Sequence, residues 1–150
     1  DDFYVKNMID HNSKIYKIYG CIINKLVEIS KECKVSITFN QHSEFFSDQS
    51  PYIINASFVG IEGESLMSSL INDCISTGSA CNSSELKTSH VLSGLGIKKL
   101  IANCAFRISL SDNINQDELE DFLEKIKVPI KMFGTLIVII LAWCFLRCNR

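Results

Sequence analysis

The chain is 150 residues long, which fits one domain with a core of its own, and its formal net charge is −2. Basic and acidic side chains are interspersed, so the composition indicates neither direct nucleic-acid binding nor a charged tail. The seven cysteines are an odd number without a C-x-x-C pair, which argues against a disulfide framework and against a metal site. We therefore expect free thiols, mostly buried, in a reducing intracellular compartment, either cytoplasmic or organellar of the mitochondrial type.

The first 58 residues predict one helix and two strands. The opening DDFYVKNMID does not begin with Met and lacks the order of a signal peptide, so we expect a fragment or a processed product. Apolar residues recur at helical spacing over 14–30 and predict an amphipathic helix. Its predicted buried face consists of Ile15, Ile18, Tyr19, Ile22, Ile23, Leu26, Val27 and Ile29. Segments 35–39 and 52–58 are rich in β-branched and aromatic residues, and predict strands separated by a loop.

The remaining elements predict an α+β fold, in which helices cover one short sheet. Helices are predicted over 64–73 and 89–95, with a short strand over 74–77 between them. Segment 105–110 alternates as a strand does, with Phe106 and Ile108 on one side and Arg107 on the other. Asn115 and Glu118 form a capping-box pattern that begins a further helix. The apolar face of that helix carries Leu119, Phe122, Leu123 and Ile126, and Pro129 predicts its end.

The C-terminal segment MFGTLIVIILAWCFL, 132–146, has no charged residue and lies between Lys131 and Arg147. As a helix it would reach about 22 Å, short of a hydrocarbon core of about 30 Å. Three interpretations stay open: a marginal membrane anchor helped by its flanking cations, a buried helix, or sequence from a truncated or misread gene. The anchor and the gene artefact are preferred over the buried helix. The expected division is a domain over 1–130 and an apolar tail over 131–150.

A single cysteine, Cys81, stands in a segment of small polar residues, ISTGSACNSSELKTSHVL. It forms an ordered set with INASFVGIEGESL (54–66) and AFRISLSDNINQDELEDFL (105–123). Over about 14–127 these segments resemble the C-terminal part of NifS/IscS-type cysteine desulfurases. Those enzymes use pyridoxal phosphate and belong to fold type I and to the class V aminotransferases. The resemblance implies the small C-terminal domain of such an enzyme, followed here by an apolar helix.

The resemblance implies a function for two residues. Cysteine desulfurases convert L-cysteine to L-alanine and hold the sulfur as a persulfide on a loop cysteine, which Cys81 matches. The small residues Gly78, Ser79, Ala80, Asn82 and Ser83 suit a loop that moves this thiol between substrate and acceptor. Arg107 matches the arginine that binds the substrate carboxylate, for which a guanidinium is suited. On the residues alone, Cys81 could equally belong to an ordinary polar loop, and Arg107 could form a surface ion pair.

The resemblance also implies partners. They are L-cysteine, the large domain that binds pyridoxal phosphate, a second subunit of a homodimer, and a sulfur acceptor or scaffold protein. The acceptor would serve iron–sulfur cluster biogenesis, thiolation of tRNA, or phosphorothioation of DNA. Segment 132–146 adds a possible membrane contact.

The cofactor-binding elements are missing from the sequence. In the family the cofactor lysine follows a histidine, and none of the three histidines here precedes a lysine. We therefore expect no cofactor-binding residue in this chain and no desulfurase activity from the chain alone. The alternative function is a non-catalytic remnant, or an interaction module that accepts sulfur.

Several further residues are given structural rather than catalytic roles. We expect His90 to begin a helix, and Glu62 and Glu64 to stabilise a helix N-terminus through its dipole. Cys74 and Cys104 lie among apolar residues and predict core positions. Cys144 and Cys148 are four residues apart and predict packing on one helical face.

Overall fold

The computed structural model describes the backbone of residues 2–40, 50–70, 75–77, 89–111 and 113–148, with side chains from 14 to 137 inside those ranges. Its elements in chain order are α1 (Asp2–Cys33), β1 (Ile37–Phe39), β2 (Ile53–Phe58), α2 (Gly63–Ser68), β3 (Ile75–Thr77), α3 (His90–Gly94), α4 (Lys99–Asn103), β4 (Ala105–Ser109) and α5 (Gln116–Cys148). The α+β class predicted from the sequence is confirmed, since helices cover a four-stranded antiparallel sheet.

The strands lie in the order β1-β2-β4-β3, and every neighbouring pair is antiparallel. Because β4 is inserted between β2 and β3, it contacts both and forms the centre of the sheet. In the registers, Asn55 of β2 lies opposite Arg107, and Ser76 of β3 lies opposite Arg107 from the other side. This register decides which side chains are neighbours across the sheet.

One face of the sheet meets the long helices and forms the core. The predicted alternation of β4 is confirmed, because Phe106 and Ile108 are buried while Arg107 and Ser109 are exposed. The rings of Phe58 and Phe106 stack at a centroid distance of 5.5 Å. Helices α1, α2 and α5 supply the rest of the core with Ile15, Tyr19, Ile22, Ile23, Leu26, Ile29, Leu66, Leu119, Leu123, Ile126 and Ile130.

Helix α1 runs from Asp2 to Cys33, longer than predicted. The buried face predicted for it is confirmed except at Ile18 and Val27, which are partly buried. Helix α2 ends at Ser68, before the expected end, and residues 71–74, with Cys74, lie outside the described residues. Helix α4 was not predicted. It has five residues and no side-chain cap, and its Leu100 is 81% exposed, so neither periodicity nor capping indicates it in the sequence.

Helix α5 begins with the predicted capping box. The Asn115 Oδ1 accepts from the Glu118 backbone N–H at 2.8 Å, and a Glu118 carboxylate oxygen accepts from the Asn115 N–H at 3.1 Å. The predicted end at Pro129 is wrong, since α5 continues to Cys148. Proline removes one helical hydrogen bond, but Pro129 is itself buried between the fully buried Ile126 and Ile130, and this packing favours continuation.

The described part of the apolar C-terminal run packs on the body of the protein. A Cβ on Gly134 would come within 2.6 Å of a Val35 methyl group, so α5 passes close to the end of α1. Ile137 packs against the core and lies near Gly60. Thr135 and Leu136 are exposed, and the side chains of 138–146 lie outside the described residues, so the three interpretations of 132–146 stay predictions. None of the helices in the part of the chain that the structure describes has the length and apolarity needed to cross a membrane.

Candidate functional site

A row of polar side chains crosses the face of the sheet that points away from α1 and α5. Asn40 follows β1 and donates its backbone N–H to the Asn55 carbonyl at 2.9 Å, which extends the ladder by one residue. Asn55, Arg107 and Ser76 continue the row over β2, β4 and β3. Since alternate residues of a strand share a face, these four side chains lie on one side of the sheet. The row is the candidate functional site.

One end of the row is buried, and three side-chain hydrogen bonds hold it in place. Asn40 is 5% exposed and Ser57 is 0% exposed, and these two are the buried polar side chains among the described residues. The Asn40 amide nitrogen donates to the Asn55 Oδ1 at 2.9 Å and to the Ser57 hydroxyl at 2.8 Å. The Ser57 hydroxyl donates to the Ile101 carbonyl of α4 at 2.9 Å. Helix α4 therefore covers this end of the polar face.

The centre of the row is open. The Arg107 side chain is exposed, and within the described ranges its guanidinium forms no ion pair or hydrogen bond. The surface ion pair considered for Arg107 is thus not found among the described residues. A guanidinium on a central strand, whose donors are unpaired within the described part of the chain, is suited to binding a carboxylate or another anion.

The predicted sulfur carrier and its loop lie outside the described residues. This applies to Cys81 and to Gly78, Ser79, Ala80, Asn82 and Ser83. The structure does describe both elements that border the segment, which are β3, ending at Thr77, and α3, beginning at His90. The segment therefore leaves β3 one residue beyond Ser76, the member of the row next to Arg107.

The residues given structural roles behave as expected. His90 is exposed and is the first residue of α3. Glu62 is the residue before α2, where its carboxylate accepts from the Ser65 hydroxyl at 3.1 Å, and Glu64 lies in the first turn of that helix. The predicted positions at the N-terminus of this helix are confirmed, and stabilisation by its dipole stays a prediction.

The three described cysteines are free thiols in different environments. Cys104 is buried, as predicted, and its thiol donates to the Leu100 carbonyl at 3.2 Å. Cys21 is exposed and Cys33 is intermediate, so the expectation of mostly buried thiols is wrong for these two. Burial, and secondarily the negative charge of Glu32, raises the pKa of the Cys33 thiol. The side chains of Cys144 and Cys148 lie outside the described residues.

The described residues do not fit the binding of pyridoxal phosphate. A lysine that forms a Schiff base is made reactive by burial or by a neighbouring cation, which lowers its pKa. No lysine among the described residues is buried, and the pKa values of Lys25 and Lys127 are raised by hydrogen-bonded carboxylates. The same residues contain no group of three potential metal ligands.

The sequence did not indicate Asn40, Asn55 and Ser57 as members of a site. Asn55 and Ser57 stand at alternate positions of β2, and that polar alternation was a usable signal for an outward face. Their contacts depend on which strands pair, and Asn40 meets its partners across 15 and 17 residues of sequence. Local periodicity carries no information about such pairing.

Comparisons with known proteins are consistent with the motifs. No protein-family model matches the chain. The cysteine desulfurase IscS of Clostridium botulinum strain Hall is 33% identical over 129 residues, which are 85% of this chain and 31% of the relative. The cysteine desulfurase IscS of Buchnera aphidicola from Baizongia pistaciae is 38% identical over 91 residues, 61% of this chain and 22% of the relative.

A solved structure named NifS-like protein superimposes with a TM-score of 0.66. The match covers 87% of this chain and 31% of that one at 21% identity, and it shows that the two share a fold. The chain spans less than a third of the length of these relatives. The resemblance seen in the sequence is confirmed: most of this chain is homologous to a segment of IscS-type cysteine desulfurases, and it folds as the corresponding small α+β unit of NifS-like proteins.

Proposed function

We propose that this chain is the sulfur-carrying part of a cysteine desulfurase, with Cys81 as the sulfur carrier and Arg107 as the carboxylate-binding residue. The observation that supports this most is the position of Arg107. It is exposed on the central strand with no ion pair among the described residues, beside the strand that leads into the Cys81 segment. Cys81 follows Ser76 by five residues, so the covalent chain keeps it within about 18 Å of the row.

The proposed reaction moves one sulfur atom. L-cysteine and the Cys81 thiol give L-alanine and a Cys81 persulfide, so a carbon–sulfur bond breaks and a sulfur–sulfur bond forms. Arg107 binds the substrate carboxylate in a bidentate pair, which orients the substrate sulfur toward the arriving thiolate. The thiolate is the nucleophile. The small residues from Gly78 to Ser83 give the backbone freedom needed for Cys81 to deliver the sulfur elsewhere.

Pyridoxal phosphate, when bound, supplies an electron sink for breaking the carbon–sulfur bond. We propose that other residues hold it, because this sequence has no His-Lys pair and its described lysines are not buried. The 150 residues by themselves are then expected to be inactive as a desulfurase. The unit proposed for 1–130 would act with a large domain and a second subunit, and 131–150 would extend it as an apolar tail.

The persulfide has to pass to an acceptor thiol. We propose a scaffold or sulfur-acceptor protein of iron–sulfur cluster or thio-cofactor and tRNA biosynthesis, in a reducing compartment that keeps Cys81 a free thiol. A second candidate function follows from the missing lysine: a sulfur-accepting module or remnant that performs no desulfuration. The two candidates share Cys81 and differ in whether the Arg107 site serves a substrate.

Alanine release from L-cysteine tests the proposal that residues outside this chain hold pyridoxal phosphate. We expect the purified chain, supplied with pyridoxal phosphate and L-cysteine, to release no L-alanine above a Cys81→Ser control. We also expect its absorption spectrum to show only free pyridoxal phosphate. Stoichiometric cofactor binding with turnover would contradict the proposal that other residues hold the cofactor.

Differential thiol labelling tests the role of Cys81. Mass mapping after brief alkylation of the folded chain should find Cys81 modified at least as fast as the exposed Cys21. It should be modified much faster than the buried Cys104. Labelling of Cys81 as slow as that of Cys104 would refute an accessible sulfur carrier.

A further inference from the structure

We propose that Asn55 is a second binding residue for the carboxylate that Arg107 holds, with its side-chain NH₂ group as the donor. The proposal rests on the proposed function and adds a residue to it. It assigns the hydrogen bonds between Asn40, Asn55 and Ser57 a role in orienting this donor.

The direction of the hydrogen-bond chain is determined by its far end. The Ser57 hydroxyl has one proton, which it donates to the Ile101 carbonyl. Toward Asn40 it can therefore only accept, which requires the NH₂ end of the Asn40 amide at that position. The second proton of that NH₂ group goes to Asn55, so the Asn55 oxygen faces Asn40 and its NH₂ group is left for other partners. This assignment follows from proton counting and does not depend on distinguishing nitrogen from oxygen in the two amides.

The resulting surface offers donors around Arg107. Asn55 lies directly opposite Arg107 in the β2–β4 register, on the same face of the sheet. Side chains of such pairs are close neighbours, about 5 Å apart at their Cβ atoms. Among the described residues, the Asn55 NH₂ group and the Arg107 guanidinium have no hydrogen-bond acceptor, so both can donate to a ligand in place of water. A carboxylate has two oxygens and can accept from both residues at once.

The organisation of the buried end also favours a role in binding. Asn40 is 5% exposed, yet its Oδ1 has no hydrogen-bond partner among the described residues. A buried acceptor without a partner destabilises the folded state, and a Val or Leu in its place would avoid that cost. Unlike an apolar side chain, the Asn40 amide donates to the Asn55 Oδ1. This hydrogen bond directs the Asn55 NH₂ group away from Asn40.

The test is a titration of the ¹⁵N-labelled 150-residue chain with L-alanine, followed by NMR of the Arg107 Nε–H and Asn55 side-chain NH₂ signals. L-alanine carries the carboxylate of the proposed product, and L-alaninamide is the control ligand without it. We expect both residues to show saturable shifts with one shared Kd for L-alanine, and no such shifts with L-alaninamide. The Asn55 signals report contact in the unaltered chain, so this arm does not depend on any variant folding.

Variants give the size of the effect. Asn55→Ala should weaken L-alanine binding about tenfold, as expected for one hydrogen bond to a charged group. Asn55→Asp should weaken it at least as much, because the new carboxylate competes for Arg107. Ser109→Ala changes an exposed residue on the same face of β4 and should shift the Kd by less than twofold.

The outcomes separate this inference from the proposed function. If Arg107→Ala abolishes binding while Asn55→Ala leaves the Kd within twofold and the Asn55 NH₂ signals do not move, Asn55 is not a ligand and Arg107 keeps its role. If the wild-type chain shows no saturable shift at Arg107, or Arg107→Ala binds as the wild type does, the carboxylate site itself is refuted and Asn55 with it.

Discussion

The two cysteines near the surface of α1 differ in chemistry because their surroundings differ. Cys21 is exposed, whereas Cys33 is partly covered at the end of the helix, next to Glu32. Burial and the adjacent carboxylate disfavour the Cys33 thiolate and raise its pKa. The raised pKa lowers the thiolate fraction of Cys33 at neutral pH, and the thiolate is the reactive form.

This difference gives a prediction for Cys33. Its alkylation rate in the folded chain should rise with pH along a curve displaced to higher pH than in the urea-unfolded chain, because the folded environment raises its pKa. Site-resolved mass mapping across a pH series measures both curves. Coincident curves, or a folded curve at lower pH, would show that the surroundings of Cys33 do not disfavour its thiolate.

The sequence predicted Arg107 as a candidate site residue but did not predict its neighbours Asn55 and Asn40. The sequence of β4 predicted the outward direction of Arg107. Side chains of a strand alternate between its two faces, and the five residues of β4 show apolar and polar side chains in that alternation. Asn55 and Asn40 become its neighbours only through the pairing of three strands that are distant in sequence. No local pattern encodes that pairing.

At the scale of elements, α2 and β4 are held together by a close approach at Gly63. A Cβ at this position would lie 2.3 Å from the Ala105 carbonyl oxygen, inside the contact distance of any side chain. Gly20, in α1, has open space around it, with nothing within 4 Å of the same ideal Cβ. The two glycines therefore make a matched pair for substitution.

We predict opposite effects on stability from replacing them. Gly63→Ala should lower the free energy of unfolding by about 1–3 kcal/mol, because backbone must shift to admit the methyl group. Gly20→Ala should raise it by about 0.5–1 kcal/mol, since alanine favours the helix without a clash. Urea unfolding curves with equal m-values measure both changes. A neutral or stabilising Gly63→Ala would mean that α2 and β4 are not in this close contact.

The helices α1 and α5 are joined by an ion pair between Glu32 and Lys127, with 2.5 Å between the charged atoms. The hydrogen bond from Lys127 lowers the pKa of the Glu32 carboxyl, and the same bond raises the pKa of the Lys127 ammonium. A lowered carboxyl pKa gives stability that is present above the unfolded pKa of about 4.3 and is lost as pH falls through the folded value. A raised ammonium pKa gives stability that is present below about 10.4 and is lost as pH rises through the folded value.

Glu32→Gln should therefore destabilise the chain most between these limits, and the difference from wild type should shrink toward acid pH. Thermal unfolding at several pH values measures this difference. The control is Glu28→Gln, which removes an exposed carboxylate paired with Lys25 inside α1 and joins no second helix. If Glu32→Gln has the same small effect at every pH, or the same profile as Glu28→Gln, the pair contributes nothing to packing α1 on α5.

Element boundaries show where local signals stop being sufficient. The capping box at Asn115 predicted the start of α5 correctly, because both hydrogen bonds are made within four residues. Pro129 is an equally local signal, yet the buried contacts of Ile126 and Ile130 outweigh it. The five-residue α4 is held by the sheet it covers, through the Ser57 bond to Ile101, and so leaves no signal of its own.

At the scale of the whole molecule, the fold separates an apolar face from a polar face of one small sheet. The apolar face packs on α1, α2 and α5, which gives β4 a rigid position. The polar face carries the row from Asn40 to Ser76, with Arg107 in the open part and the Cys81 segment leaving from its edge strand. The proposed function requires a rigid carboxylate-binding residue near a sulfur carrier, and the position of Arg107 beside the strand that leads to Cys81 supports it.

The relatives are much longer than this chain. The chain corresponds to less than a third of the IscS enzymes it matches, and the proposal that other residues hold the cofactor is consistent with that extent. Fold class, strand content and family were predictable from the sequence, because they follow from periodicity and from motifs with close spacing. The packing of 133–137 against the body was not, since an apolar run alone does not distinguish a membrane from a protein surface.

The most direct test of the central claim is to offer the folded chain a small-molecule persulfide and to map where sulfur is gained. In this exchange the donor R–S–SH and the Cys81 thiol give R–SH and Cys81 persulfide, so no other reactant is needed. We predict that peptide mass mapping finds one added sulfur atom mainly on Cys81. Little is expected on Cys33 or Cys104, and less on exposed Cys21 than on Cys81. Sulfur distributed by exposure alone, with Cys21 equal to or ahead of Cys81, would contradict the assignment of Cys81 as the sulfur carrier.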